Sequence, residues 1–124
     1  MPEPEKKILI VDDEEDVRLF LADFISERDF SVETAADAEE ALAKFEKVKY
    51  DIVLLDIMMP GMDGIACLEK IKKVSPASVV IMITALKDES RMAAAKKLGA
   101  AQYIVKPFSL TYLETELLKL LEKS

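Results

Sequence analysis

What most constrains this chain is a regular alternation between two hydrophobic periods. Continuous apolar runs fall at residues 8–11, 52–55 and 79–83, with a shorter one at 103–105. Unbroken runs of this length read as strands covered on both faces, as in parallel sheets sandwiched by helices. Residues 31–35 (Ser-Val-Glu-Thr-Ala) instead alternate polar and apolar, which suits an edge strand. Between the runs the spacing becomes helical: Val17, Phe20, Leu21 and Phe24; Ala38, Ala41, Leu42 and Phe45; Ile65, Leu68 and Ile71; Leu110, Leu113, Leu117, Leu120 and Leu121. Each set forms one apolar stripe. A fourth helix over residues 89–98 is alanine-rich and weakly amphipathic. Asp37 with Glu40 predicts a capping box, Gly99 a helix end, and Ser109 the cap of the last helix.

Five strand-helix repeats in alternation predict an open, doubly wound α/β sandwich with right-handed crossovers. Placing residues 31–35 at an edge favours the order 2-1-3-4-5 for a five-stranded parallel sheet. Doubly wound folds of that order bind ligands beyond the strand C-termini where the order reverses. The site is therefore expected between the first and third strands. At 124 residues, the chain 1–124 is expected to form one domain.

Composition narrows the chemistry. The chain has no histidine, which removes Ser-His-Asp and Cys-His nucleophiles together with the commonest zinc ligand. Catalysis must then rest on carboxylates, hydroxyls or lysines. A net charge of −7 with no concentrated basic stretch argues against direct nucleic-acid binding. No apolar run approaches the ~20 residues of a membrane helix, so no membrane insertion is expected. Residues 1–7 do not read as a signal peptide. The single cysteine, Cys67, excludes an internal disulfide and fits a cytoplasmic location. With no base expected nearby, it is given no role.

The polar residues that follow the strands carry the chemistry: Asp12 and Asp13 after the first, Asp56 after the third, Thr84 after the fourth and Lys106 after the fifth. All are expected on one edge of the sheet. Any one of them could be ordinary turn or capping chemistry. Together, three carboxylates demand a cation, because two like charges ~4 Å apart repel by ~4 kcal/mol at an effective dielectric near 20. Magnesium suits, being hard, oxygen-seeking and content with one or two carboxylates plus water and phosphate. With Lys106 it balances the three negative charges. Asp56 then becomes a nucleophile toward phosphorus, with Lys106 and the Thr84 hydroxyl on the phosphoryl oxygens.

These residues sit in four motifs: Val11-Asp12-Asp13-Glu14, the stretch from Leu54 through Asp56 and Met58 to Gly64, Ile83-Thr84-Ala85, and Val105-Lys106-Pro107-Phe108. In that order, over about 6–121, the chain resembles the response-regulator receiver family of two-component signalling. The resemblance implies a flavodoxin-like (βα)5 fold and Asp56 as phosphoacceptor. It implies Mg²⁺, with Mn²⁺ as a substitute, held by Asp13, Asp56 and the Met58 backbone carbonyl, with Asp12 acting through a metal-bound water. Thr84 and Lys106 would contact the phosphoryl group, and Tyr103 would turn inward as Thr84 moves. Met58 and Leu86 occupy the positions that tune acyl-phosphate hydrolysis; both are apolar, which predicts a long phosphorylated lifetime. A cis Lys106–Pro107 bond is also implied. The implied partners are a sensor histidine kinase or phosphotransfer protein as donor and a downstream output protein or domain, with the chain a monomer or a weak phosphorylation-dependent dimer. The surface of the fourth helix, fifth strand and fifth helix would carry the signal.

Other classes fit less well. An aspartyl-nucleophile phosphatase needs a general acid two residues past the nucleophile, where Met58 stands. A flavodoxin-type binding module wants a Ser/Thr-rich phosphate loop after the first strand, where this chain has Asp12-Asp13-Glu14-Glu15. A receiver kept only as a scaffold would lack an acceptor-site residue, and none is missing. The chain is thus expected to be a switch that assists its own phosphorylation and dephosphorylation rather than a turnover enzyme.

Overall fold

The computed structural model describes residues 6–59, 61, 63–84, 89–106 and 108–123. Strands β1 (Lys7–Val11), β2 (Ser31–Ala35), β3 (Ile52–Asp56), β4 (Val79–Thr84) and β5 (Gln102–Val105) alternate with helices. The helices are α1 (Glu15–Ser26), α2 (Ala38–Phe45), α3 (Gly64–Val74), α4 (Glu89–Lys97) and α5 (residues 110–123). The strands form one parallel sheet in the order β2-β1-β3-β4-β5, as the hydrophobic pattern predicts. The fold is the flavodoxin-like doubly wound sandwich.

Successive side chains on a strand point to opposite faces, so each continuous run feeds two cores. Leu9, Val11, Val53, Leu55, Val80 and Met82 pack with Ala41, Phe45, Leu68 and Ile71 on the α2 and α3 side. Ile8, Ile10, Ile52, Leu54, Ile81 and Ile83 pack with Leu21, Phe24, Ile25, Leu113, Leu117 and Leu121 on the α1 and α5 side. Each fully buried Leu or Ile contributes roughly 1.5–3 kcal/mol, which makes the three central strands the rigid base of the molecule. The fourth run departs from the expectation of cover on both faces. β5 is the opposite edge strand, where Gln102 and Tyr103 remain exposed and Ile104 is buried. The helix that could cover it, α4, buries only Ala95 outright.

Local signals hold at most ends. The Asp37 side chain accepts from the Glu40 N–H at 2.8 Å, whereas Glu40 accepts from Ala36 rather than Asp37, so the capping box closes one residue early. Ser109 accepts from the Tyr112 N–H at 3.0 Å, and Gly99 ends α4 with φ +106°. Asp63 caps α3 through the Ala66 N–H at 2.9 Å.

α5 is not uniform: Leu110–Tyr112 and Leu118–Lys123 are α-helical, but Leu113–Leu117 forms a π-turn. The reason lies in spacing. Leu113, Leu117 and Leu121, each fully buried, recur every four residues, a repeat that drifts about 40° per step in a regular helix. The wider π-turn offsets that drift and keeps the three in one stripe. The Thr115 hydroxyl donates to the Thr111 carbonyl at 2.9 Å, the group that a regular helix would bond to the Thr115 N–H.

Candidate functional site

The strand ends converge where β1 and β3 lie side by side at the reversal of strand order. Val11, the last residue of β1, pairs with Leu55, so Asp12 stands level with Asp56 on adjacent strands. Carboxylate oxygens of Asp12, Asp13 and Asp56 lie within 4.8 Å of one another. Asp12 is fully buried, Asp56 is 3% exposed, and Asp13 lies open to solvent. The predicted acidic cluster is thus present as a geometric fact.

Backbone groups fix the two buried carboxylates. Asp12 Oδ1 accepts from the Glu14 N–H at 2.9 Å, and Asp56 Oδ1 accepts from the Met58 N–H at 3.0 Å. Gly64 is the seat for this arrangement: its N–H donates to the Ile57 carbonyl at 2.9 Å, and a Cβ at that position would stand 2.7 Å from the Ile57 Cα and clash with the Asp56 carbonyl. Here the absence of a side chain is what lets α3 start against the end of β3.

Lys106 reaches into the cluster from the end of β5. Its backbone N–H donates to the Thr84 carbonyl at 2.8 Å, which ties the two strand ends together. Its ammonium lies 2.8 Å from Asp12 Oδ2, 3.0 Å from Glu14 Oε1 and 3.2 Å from Asp56 Oδ2. The contacts with Glu14 and Asp56 are hydrogen bonds, whereas Asp12 Oδ2 has the ammonium close by without an aligned donor. That buried oxygen has charge compensation but an unfilled lone pair.

Electrostatics points the same way. Burial, then the neighbouring Asp12 charge, pushes the Asp56 carboxyl up to about 6, against the pull of Lys106 and the Met58 N–H. Burial would lower the Lys106 ammonium, yet its close contacts with the Asp12 and Glu14 carboxylates and the charge of Asp56 outweigh this and hold it above the usual lysine range. The two displacements share one contribution, the negative charge of the cluster, which for Asp56 adds to the larger effect of burial and for Lys106 overcomes it. Oxygen ligands, one buried oxygen lacking a donor, and surplus negative charge fit a hard divalent cation.

The remaining predicted residues fall as follows. Thr84 is buried at the end of β4, one position beyond the partner of Asp56 in the β3–β4 ladder. The Met58 side chain is 51% exposed at the rim. Tyr103 is 49% exposed and borders a cavity of about 110 Å³ that it shares with Met82, Met92 and Ala95 between α4 and β5. Cys67 is fully buried on α3, and burial pushes its thiol up to about 11, in keeping with its having no assigned chemistry. Leu86 and the Lys106–Pro107 bond fall outside the described residues. Glu14, which sequence reasoning left without a role, is the unexpected member: as the residue before α1 it was legible only as part of an acidic run.

Among the described residues no helix is long and apolar enough to cross a membrane. The family model described as response regulator receiver domain matches residues 8–118. A probable transcriptional regulator from Guillardia theta is 42% identical over 122 residues, covering 98% of this chain and 48% of its own. Chemotaxis protein CheY of Thermotoga maritima is 38% identical over 104 residues, covering 83% of this chain and 87% of its own. Among solved structures, a CheY-like receiver domain protein from Methanospirillum hungatei superimposes with a TM-score of 0.88 at 33% identity, covering 96% of this chain and 95% of its own. NtrX from Brucella abortus gives 0.87 at 36% identity, covering 96% and 27%. The chain spans about half the length of the transcriptional regulators it matches. The strand order, the acidic cluster at the sheet edge and these likenesses agree: the chain belongs to the response regulator receiver domain family of two-component systems, a family of signalling switches.

Proposed function

We propose that the chain forms a single cytoplasmic receiver domain in which Asp56 accepts a phosphoryl group from the phosphohistidine of a sensor histidine kinase or phosphotransfer protein. One Asp56 carboxylate oxygen attacks phosphorus, the bond to the donor nitrogen breaks, and the imidazole leaves with the electron pair. The observation that carries the reading is the buried Asp12–Asp56 pair, over-supplied with negative charge and served, among the described residues, by Lys106.

Asp13, Asp56 and the Met58 backbone carbonyl would hold Mg²⁺, or Mn²⁺ in its place, with Asp12 acting through water. The ion supplies charge neutralisation for the phosphoryl oxygens. Lys106 gives up part of its hold on the carboxylates to donate to the phosphoryl group, and the Thr84 hydroxyl donates beside it. Because Thr84 and Tyr103 flank the border between β4 and β5, movement of Thr84 lets Tyr103 turn toward the neighbouring cavity. That changes the α4-β5-α5 surface offered to an output partner. The chain acts as a monomer or a weak phosphorylation-dependent dimer. The exposed Met58 thioether, with Leu86, limits water activation and lengthens the phosphorylated lifetime.

The test is incubation with a small phosphoryl donor and Mg²⁺, read by intact mass. Wild type is expected to gain one phosphoryl group, and Asp56→Asn or wild type in EDTA none. Equal labelling of wild type and Asp56→Asn, or no labelling of wild type, would overturn the proposal.

A further inference from the structure

The ammonium of Lys106 has three protons and three carboxylate neighbours, on Asp12, Glu14 and Asp56, at 2.8, 3.0 and 3.2 Å. Two of the contacts, with Glu14 and Asp56, are hydrogen bonds and the third is an unaligned ion pair with Asp12, so all three carboxylates compete for the charge that a phosphoryl oxygen would need. A phosphoryl group on Asp56 needs that ammonium for one of its own oxygens, so one of the three must yield.

The three are not equally held. Asp12 is fully buried, and its other oxygen is fixed by the Glu14 N–H. Asp56 is buried, is tied to the Met58 N–H, and is the phosphorylated residue itself. The Glu14 side chain is 61% exposed and makes no cap to its own helix. Its backbone, meanwhile, is bonded at both N–H and C=O, to Asp12 Oδ1 and to the Arg18 N–H. The main chain can stay while the carboxylate swings into water. Desolvated groups lose far more than solvated ones when a partner is removed, so Glu14 is the one that leaves.

We propose that Glu14 is a positioning residue, a detachable counter-ion that holds Lys106 in the unphosphorylated site and must release it before the ammonium can engage a phosphoryl group. This rests on the phosphoacceptor reading of Asp56. Glu14 sets how readily the site fills by acting on Lys106, and it touches neither phosphorus nor metal. Exposed ion pairs are weak, so the lock costs roughly two- to five-fold in affinity for a phosphoryl group.

The experiment uses beryllofluoride as the phosphoryl mimic at saturating Mg²⁺, with affinity read by calorimetry and bound fluoride by ¹⁹F NMR. Glu14→Gln and Glu14→Ala should both bind the mimic about two- to five-fold more tightly than wild type, with the thermal transition of the free proteins unchanged. In a Lys106→Met background, checked for folding by its thermal transition, Glu14→Gln should change affinity by less than about 1.5-fold. The double-mutant cycle separates release of Lys106 from the general field of one negative charge. An equal gain in both backgrounds, or no gain in the wild-type background, overturns the assignment. The parent reading fails separately: if wild type does not bind the mimic, or Asp56→Asn binds it equally well, it is the phosphoacceptor role that falls.

Discussion

Removing the charge of Asp56 should stabilise the metal-free protein, and the gain should depend on pH. The folded carboxyl titrates at about 6 against an ordinary value of 3.8. The folded chain thus holds this proton more tightly than the unfolded one. The associated stability is complete below about pH 3.8 and drains away as the pH rises through about 6. Two units at about 1.36 kcal/mol each set a ceiling of roughly 3 kcal/mol at neutral pH. Asn at position 56 keeps the shape and never ionises, but it gives Lys106 a weaker partner, so roughly 2 kcal/mol is the expected net gain. At a urea slope of about 1–2 kcal/mol/M, the Asp56→Asn midpoint in EDTA at pH 7.5 should lie about 1–2 M above wild type. The gap should narrow toward pH 4.5, where the folded carboxyl is mostly neutral, and close only below about pH 3.8, where the unfolded one is neutral too. It should also narrow at pH 7.5 with saturating Mg²⁺, which stabilises only wild type strongly. Coincident midpoints at pH 7.5 in EDTA, or a gap that persists unchanged at pH 4.5, would refute the electrostatic account of the site.

Gly64→Ala should lose at least 1–3 kcal/mol in urea denaturation, because the new methyl meets the Asp56–Ile57 backbone, and it should weaken the Mg²⁺-dependent rise in Tm as the carboxylate is displaced. Ser109→Ala removes the cap of α5 and should cost about 1 kcal/mol by the same assay without altering Mg²⁺ binding. Met58→Asn and Leu86→Lys should each speed loss of the phosphoryl group, followed by intact mass after removal of the donor; an unchanged rate in both would dismiss the apolar residues as lifetime determinants.

The sheet was legible because burial and period coincide there. Residues 8–11, 52–55 and 79–83 are apolar at every position, since each alternates between two buried faces, and residues 31–35 alternate because one face is open. The run at 103–105 misled on coverage: an aromatic residue is apolar whether or not it is covered, and Tyr103 stands half exposed. Asp12, Asp13, Asp56 and Lys106 could be found because strand order alone brings residues that follow parallel strands to one edge. Glu14 could not, since the partner of an exposed, flexible side chain is set by three-dimensional reach and leaves no trace in spacing. The seat at Gly64 was visible only as a letter in a motif, because the demand for a missing Cβ comes from the approach of a backbone distant in sequence.

The widened turn in α5 has a bearing on how relatives are compared. One residue more than a regular helix requires is absorbed between Leu113 and Leu117, so everything from Leu118 onward is rotated by about 100° relative to a helix counted straight through. Aligning this chain without a gap to a relative whose last helix is regular would therefore match outward-pointing side chains to sideways-pointing ones. Partner preferences inferred from such columns would be transferred to the wrong flank, and the phase of the helix has to be set afresh at Leu118.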